Sequence, residues 1–287
     1  MKQIKRKTEL KTELKTVKKL NAWKRDIATG TYRSYLTVRD VNKVGRRHWM
    51  YCEKQHRQVH LLSDGERRMY TVMLYKANCV AIFEQYALDL DETLDIAVAM
   101  NLIHPRKWQT NEACVMTTDF LVESVSTNAK NKTELTAYTF KYWSQIYRYG
   151  KSGEIEQINK RTWQKFSIER EYWRRRGVEY RVVTERDATK VQQWNIMFCE
   201  SSRDLVFNQD ELCAFLDVFL PTWWNSPWAQ LQELLAVVCN KLEMESKRAK
   251  EVFKYVVLYG FLSISQKECI RWFRPLVVTQ FECEVVI

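Results

Sequence analysis

Two apolar runs, Cys114 to Ser124 and Leu135 to Trp143, are separated by the polar stretch Ser126-Thr127-Asn128-Ala129-Lys130-Asn131-Lys132. This pair constrains the fold more than any other feature. Runs rich in β-branched and aromatic residues, joined by Ser, Asn and Lys, predict two strands and a turn, and so an antiparallel pair. Helical periods flank it. Ser63 opens a helix to about Lys76 with Met69, Val72 and Met73 on one side. Cys79 to Leu88 is β-rich, and Asp91 to Leu102 is helical until His104-Pro105 stops it. After the strand pair come a helix from about Glu154 to Arg176, ending at Gly177, a strand from Val178 to Thr184, and a helix starting near Asp187. Upstream, Tyr35 to Val38 reads as a short strand, and Arg46 to Tyr51 with Gln58 to Leu62 as a hairpin. The order predicts an α/β protein, a mixed sheet with helices on its faces.

Beyond about Trp194 the pattern becomes helical: Gln209 to Leu220, Pro227 to Met244 and Ser246 to Tyr259, then short β stretches at Phe261 to Ser265 and Leu276 to Thr279. Three helices and a β hairpin outline a winged-helix-like domain, with a plain helical appendage as the alternative. A chain of 287 residues accommodates two cores. With 46% hydrophobic residues and 11 Trp it is excluded from the disordered class, and 7 Gly with 4 Pro leave little for long linkers. No uncharged stretch is long enough for a bilayer and no apolar run opens the chain, which predicts a cytoplasmic protein without a membrane partner. The eight cysteines stand singly with no CxxC pair, which favours free thiols over disulfides or zinc. His56 and His60 have i, i+4 spacing but flank a hairpin-like stretch, which argues against a helical metal pair.

Charge is concentrated at one end. Residues 1–25 hold ten Lys or Arg and two Glu, +8 of the chain's +11. Leu10, Leu14 and Val17 share a helical face with lysines around the rest. Lys5, Arg6, Lys7, Lys11, Lys15, Lys18 and Lys19 therefore read as a basic arm laid on DNA phosphate or on an acidic partner. The alternative is a solvated terminus.

Three polar residues in apolar surroundings carry the chemistry: Glu66 in a first helical turn, Asp119 in an apolar strand, and Lys141 inside the strand that follows. Two carboxylates can hold a divalent cation against a phosphate, and an ammonium can orient the attacking water. Ser63-Asp64-Gly65-Glu66 is also a capping box, which by itself explains Glu66. Yet Glu66 shares its face with Met69, Tyr70 and Met73, so its carboxylate points toward the sheet. Asp119 sits between Val115-Met116-Thr117-Thr118 and Phe120-Leu121-Val122, where an acid needs a partner. Lys141, by alternation, is also explained as a solvent-face lysine. Glu169 joins them because Ile158, Thr162, Phe166, Glu169 and Trp173 share one helical face, its plain explanation being an ion pair with a nearby arginine.

In this order the motifs resemble the TnsA endonuclease subunit of heteromeric cut-and-paste transposases, within the restriction-endonuclease-like superfamily. The resemblance covers about residues 32–190. It rests on Tyr35-Leu36-Thr37-Val38, on Val59-His60-Leu61-Leu62-Ser63-Asp64-Gly65-Glu66, on Phe83-Glu84-Gln85-Tyr86, on Ile103-His104-Pro105, on Met116-Thr117-Thr118-Asp119-Phe120-Leu121-Val122 and on Glu169-Arg170-Glu171-Tyr172-Trp173. It implies a basic arm (1–25), a restriction-endonuclease-like catalytic domain (26–194) and a winged-helix-like docking domain (195–287). It implies Glu66, Asp119, Lys141 and Glu169 as catalytic residues and Glu84 as support. It places Mg²⁺, with Mn²⁺ able to substitute, at Glu66, Asp119, Thr139 and Phe140. It implies cleavage at the 5′ ends of a transposon, beside a TnsB-type transposase and a TnsC-type ATPase. One departure stands out: the family's Gln two residues before the lysine is here Thr139, a shorter and weaker ligand. Two other readings stay open, a catalytically weak scaffold subunit that keeps the fold and a stand-alone restriction enzyme.

Overall fold

The computed structural model describes residues 10–41, 45–126 and 132–281. The chain divides into two units, one of residues 1–74 with 78–188 and one of residues 75–77 with 189–287.

In the first unit the predicted hairpin is β1 (His48–Cys52) against β2 (Arg57–Leu61), paired antiparallel from His48↔Leu61 to Cys52↔Arg57. Helix α2 (Asp64–Leu74) follows, then β3 (Cys79–Ala87) and α3 (Leu90–Ala99). Strands β4 (Thr117–Val125) and β5 (Thr133–Phe140) are the predicted pair, whose turn residues 127–131 lie outside the described residues. A short helix α4 (Trp143–Ile146), the small hairpin β6 (Tyr147–Tyr149) with β7 (Ile155–Gln157), helix α5 (Lys160–Arg174) and strand β8 (Glu179–Val183) complete it. The central sheet has the order β3-β4-β5-β8. Its first two pairings are antiparallel and β5–β8 is parallel, so the sheet is mixed.

Alternation decides which helix covers which face. Phe120 stands opposite Tyr138, and Leu121 opposite Ala137. Phe120 meets Tyr70 of α2 at 6.4 Å between ring centres, whereas Leu121 and Ala137 pack with Ile168, Tyr172 and Trp173 of α5. Helices thus lie on both faces, as the sequence predicts.

Four local expectations are corrected. Tyr35 to Val38 is not a strand: Asp40 Oδ2 accepts from both the main chain and the hydroxyl of Thr37, which closes a turn. The helix expected from Glu154 starts at Lys160, where Asn159 caps the Thr162 N–H, because Ile155–Gln157 pairs with Tyr147–Tyr149. Lys141 lies one residue beyond β5 and not inside it, its N–H bonded to the Val183 carbonyl. Of the face predicted at Leu10, Leu14 and Val17, Leu10 packs against the core and Leu14 does not. Helix α1 (Leu14–Ala28) leaves Leu14 67% exposed and instead buries Leu20 and Trp23 against Ala87, Leu90 and Leu94. The helix therefore runs through the boundary expected at residue 25.

Buried His104 bridges the loop after α3, its Nε2 3.1 Å from the Thr93 hydroxyl and its Nδ1 2.9 Å from the Pro105 carbonyl. Burial pushes its pKa from 6.5 down to about 4. The unfolded chain therefore takes up this proton first, and stability falls as pH drops from 6.5 towards 4. The difference is worth about 3 kcal/mol. His104→Gln should flatten that acid limb in urea titrations, and an unchanged limb would move the effect to another group.

The second unit holds α6 (Lys190–Cys199), α7 (Gln209–Asn225), α8 (Leu231–Leu242) and α9 (Ser246–Leu258), followed by β9 (Leu262–Ile264) antiparallel to β10 (Val278–Phe281). Phe215, Phe219, Leu231, Val238, Val252 and Phe253 fill one core. Trp223 is partly buried and donates to the Leu276 carbonyl, while Trp224 and Trp228 are 73% and 75% exposed. The three tryptophans therefore separate into one that packs and two that face out. No helix among the described residues is long and apolar enough to cross a membrane. Among the described residues no cysteine forms a disulfide, and Cys283 lies outside them.

Candidate active site

Glu66 is aimed by its own helix start. Ser63 Oγ accepts the Glu66 N–H at 3.1 Å, while the Glu66 carboxylate accepts from the Ser63 hydroxyl at 3.0 Å and from the Leu62 N–H at 2.8 Å. Capping and orientation are thus one arrangement, and the structural and functional explanations of Glu66 do not compete. Asp119 lies one residue before Phe120↔Tyr138, the last cross-strand pair of β4 and β5. Beyond that pair its Oδ2 takes the Phe140 N–H at 2.7 Å, which ties the end of β5 to the acid.

One side chain joins the two acids. Gln85, buried in β3, donates from Nε2 to Glu66 at 3.2 Å and to Asp119 at 3.4 Å, and its own oxygen accepts from Thr117 at 3.3 Å. Its φ of 53° lies in the left-handed region, which costs a side chain such as Gln on the order of 1 kcal/mol and collects at functional sites. Burial, and then the charge of Asp119, push the Glu66 pKa up to about 8, while Leu62, Ser63 and Lys141 pull it down. Burial likewise raises Asp119, against the Phe140 N–H, Lys141 and Gln85. Glu169 is raised to about 8, again chiefly by burial. Its carboxylate accepts from Thr139 at 2.6 Å and from Thr118 at 3.4 Å, and Trp173 Nε1 in turn donates to Thr118 at 2.8 Å.

Asp119, Thr139, Phe140, Lys141 and Glu169 line one cavity of about 510 Å³. Glu66 reaches the group through Gln85 and stands outside that lining. Glu84 does not join it. Its carboxylate turns elsewhere, where Arg57 pairs with it at 2.6 Å and Ser34 donates to it at 2.5 Å. Of the arm, Lys5, Arg6 and Lys7 lie outside the described residues. Lys11 pairs its main chain with Glu112 and Ala113, Lys15 and Lys18 are exposed, and Lys19 is held by Asp40 at 3.1 Å.

Sequence reasoning missed Gln85, Arg106, Arg161 and Lys165. Gln85 had a signal: it is one of two adjacent polar residues in an otherwise apolar strand. The arginines and the lysine had none, because only the folded loop and α5 bring them to the cavity.

Gly65 fixes the spacing. A Cβ there would lie 2.1 Å from the Phe140 ring, so only glycine lets the start of α2 approach the end of β5. Gly65→Ala should push apart the segments that carry Glu66 and Lys141, and lower any cleavage by about tenfold or more. Wild-type cleavage by this variant would show that the spacing does not matter.

A helix-flanked mixed sheet, with two acids meeting beside the end of its central hairpin, is consistent with the restriction-endonuclease-like class. Residues 76–185 match the family description "TnsA-like endonuclease N terminal". The chain is also 27% identical over 176 residues to "Transposon Tn7 transposition protein TnsA" of Escherichia coli, covering 58% of this chain and 54% of that protein. It thus spans about half the length of this curated relative. The matched residues 76–185 contain Asp119, Lys141 and Glu169 and begin after Glu66.

Proposed function

We propose that this protein is a metal-dependent DNA endonuclease that cuts the 5′ ends of a mobile element, working with a TnsB-type transposase and a TnsC-type ATPase. The observation that supports it most is the sharing of one buried amide by Glu66 and Asp119. Two acids held this close, both raised in pKa by burial, would be stabilised in their charged forms by a cation between them. Their donor set is all oxygen, which suits Mg²⁺, or Mn²⁺ in its place. Among the described residues no group of three or more His, Cys, Asp and Glu gathers to hold a metal, so an ion on Glu66 and Asp119 would keep several waters. Such an ion would neutralise charge developing on the phosphate and lower the pKa of a bound water.

The chain's own residues have separate tasks in this reading. Lys141, tethered to β8 through Val183, faces the acids and offsets phosphate charge. Glu169, protonated more readily than an exposed acid, fixes the Thr139 hydroxyl. Exposed Trp224 and Trp228 offer anchors for a partner protein, and the arm lysines Lys15 and Lys18 offer charge to DNA. The helices and small sheet of the second unit would act as a winged-helix-like docking domain. The setting would be the cytoplasm, at the nucleoid.

One observation favours a second reading, a scaffold subunit without strong catalysis. Thr139, its hydroxyl turned to Glu169 at 2.6 Å, is a shorter side chain and a weaker metal ligand than the amide oxygen it would replace. End cleavage separates the two. The protein would be given supercoiled plasmid carrying transposon ends, with and without the partner transposase and regulator, in Mg²⁺ and in chelator. Metal-dependent 5′ cuts are expected, and their absence in the complete mixture would leave the scaffold.

A further inference from the structure

The cavity that holds Asp119 and Glu169 also carries an unexplained group of cations. Arg106 enters from the loop before β4, and Arg161 and Lys165 enter from α5, one turn apart on the same face. Elsewhere in this unit Arg57, Arg148, Arg176 and Arg181 each hold a carboxylate. Among the described residues no carboxylate pairs with Arg106, Arg161 or Lys165. Their side chains are anchored, where anchored at all, by neutral groups: Arg106 donates to Asn111 at 2.6 Å, and Arg161 donates to the Ile103 carbonyl and to Gln164. A guanidinium held by carbonyls keeps its full charge and retains free N–H donors. The three also oppose one another: burial, then Arg106, lowers the pKa of Arg161, and burial, then Arg161 and Lys141, lowers that of Lys165 against a smaller pull upward from Cys114 and Glu169. Like charges gathered at the cost of repulsion around one cavity, Arg106 and Arg161 half-buried and Lys165 at its exposed rim, imply an anion that offsets them.

We propose that Arg106, Arg161 and Lys165 form a second phosphate subsite, which takes a phosphodiester of the DNA strand next to the one positioned at Asp119 and Lys141. This rests on the endonuclease reading. Phosphate is the fitting anion, because two guanidinium groups and one ammonium match its several oxygens. The division of labour follows from position. Lys141 serves the bond to be cut, and the three cations hold the backbone against the repulsion of the buried acids.

The test is the salt dependence of binding. A short fluorescein-labelled DNA duplex would be titrated with the intact protein in chelator, where no cutting occurs, over a range of KCl. Each phosphate contact contributes about 0.9 to the slope of log K against log salt. The triple variant Arg106→Gln, Arg161→Gln, Lys165→Gln should make that slope shallower by about two to three and weaken binding at low salt at least about tenfold. Arg161→Lys, which keeps the charge, should retain the slope. Lys241→Gln with Lys267→Gln, both exposed and in the other unit, should leave it unchanged. An unchanged slope in a folded triple variant, or no binding by the intact protein, would each overturn the subsite. Failure of the endonuclease reading looks different: Asp119→Ala would then cut as well as the intact protein, whatever the slope.

Discussion

Asp119→Ala is expected to lose about three decades of DNA cleavage in Mg²⁺ while remaining folded, because several kcal/mol of transition-state stabilisation depend on the ion it would hold. Two effects on stability oppose each other. The substitution removes a buried acid and its repulsion of Glu66, but strands the Phe140 N–H, whose loss of an acceptor costs about 1–3 kcal/mol. Asp119→Asn separates these terms, since its amide oxygen still accepts that N–H. Both variants should fail to cut, and the Asn variant should melt no lower than the intact protein. Cutting by either at the wild-type rate removes Asp119 from catalysis and leaves the scaffold reading standing.

Arg57→Ala is expected to destabilise the protein by about 3–5 kcal/mol, enough to unfold an ordinary domain at moderate temperature. Glu84 has no exposed side-chain surface, and Arg57 supplies its counter-charge through two contacts at 2.6 and 2.9 Å. Losing the arginine leaves a buried carboxylate beside only Ser34 and the His60 N–H. Removing both charges, as Arg57→Leu with Glu84→Leu, should cost less than Arg57→Ala alone. Urea denaturation measures both, and a double variant weaker than the single one would show that the pair itself is net stabilising. Glu84 is thus expected to act on the fold beneath the site, which a cleavage assay normalised to folded protein would show as near-wild-type turnover.

Much of this was legible in the sequence because the hydrophobic periods were long. The strand pair Thr117–Val125 and Thr133–Phe140, and helix Asp64–Leu74, arose from runs in which every turn and pleat repeats the same signal. Tyr35 to Val38 failed because four residues of β-prone composition cannot outweigh one Asp40 carboxylate closing a turn on Thr37. The Glu154 region failed because a hairpin of three-residue strands carries no periodicity to detect. Glu66 and Asp119 announced themselves as acids in apolar surroundings. Glu84 and Gln85 did so only as a pair, and which of them turned toward the acids was a matter of register that composition does not encode. Arg106 and Arg161 lie 55 positions apart and meet only through the tertiary fold.

The capping contacts of Glu66 carry a last consequence. A flexible glutamate must give up rotamer freedom worth up to about 1.5–2 kcal/mol before it can hold anything. Here the Leu62 N–H and the Ser63 hydroxyl have already settled that freedom as the helix forms. The entropy is spent during folding, not during recognition, so whatever arrives between Glu66 and Asp119 meets a group already facing it.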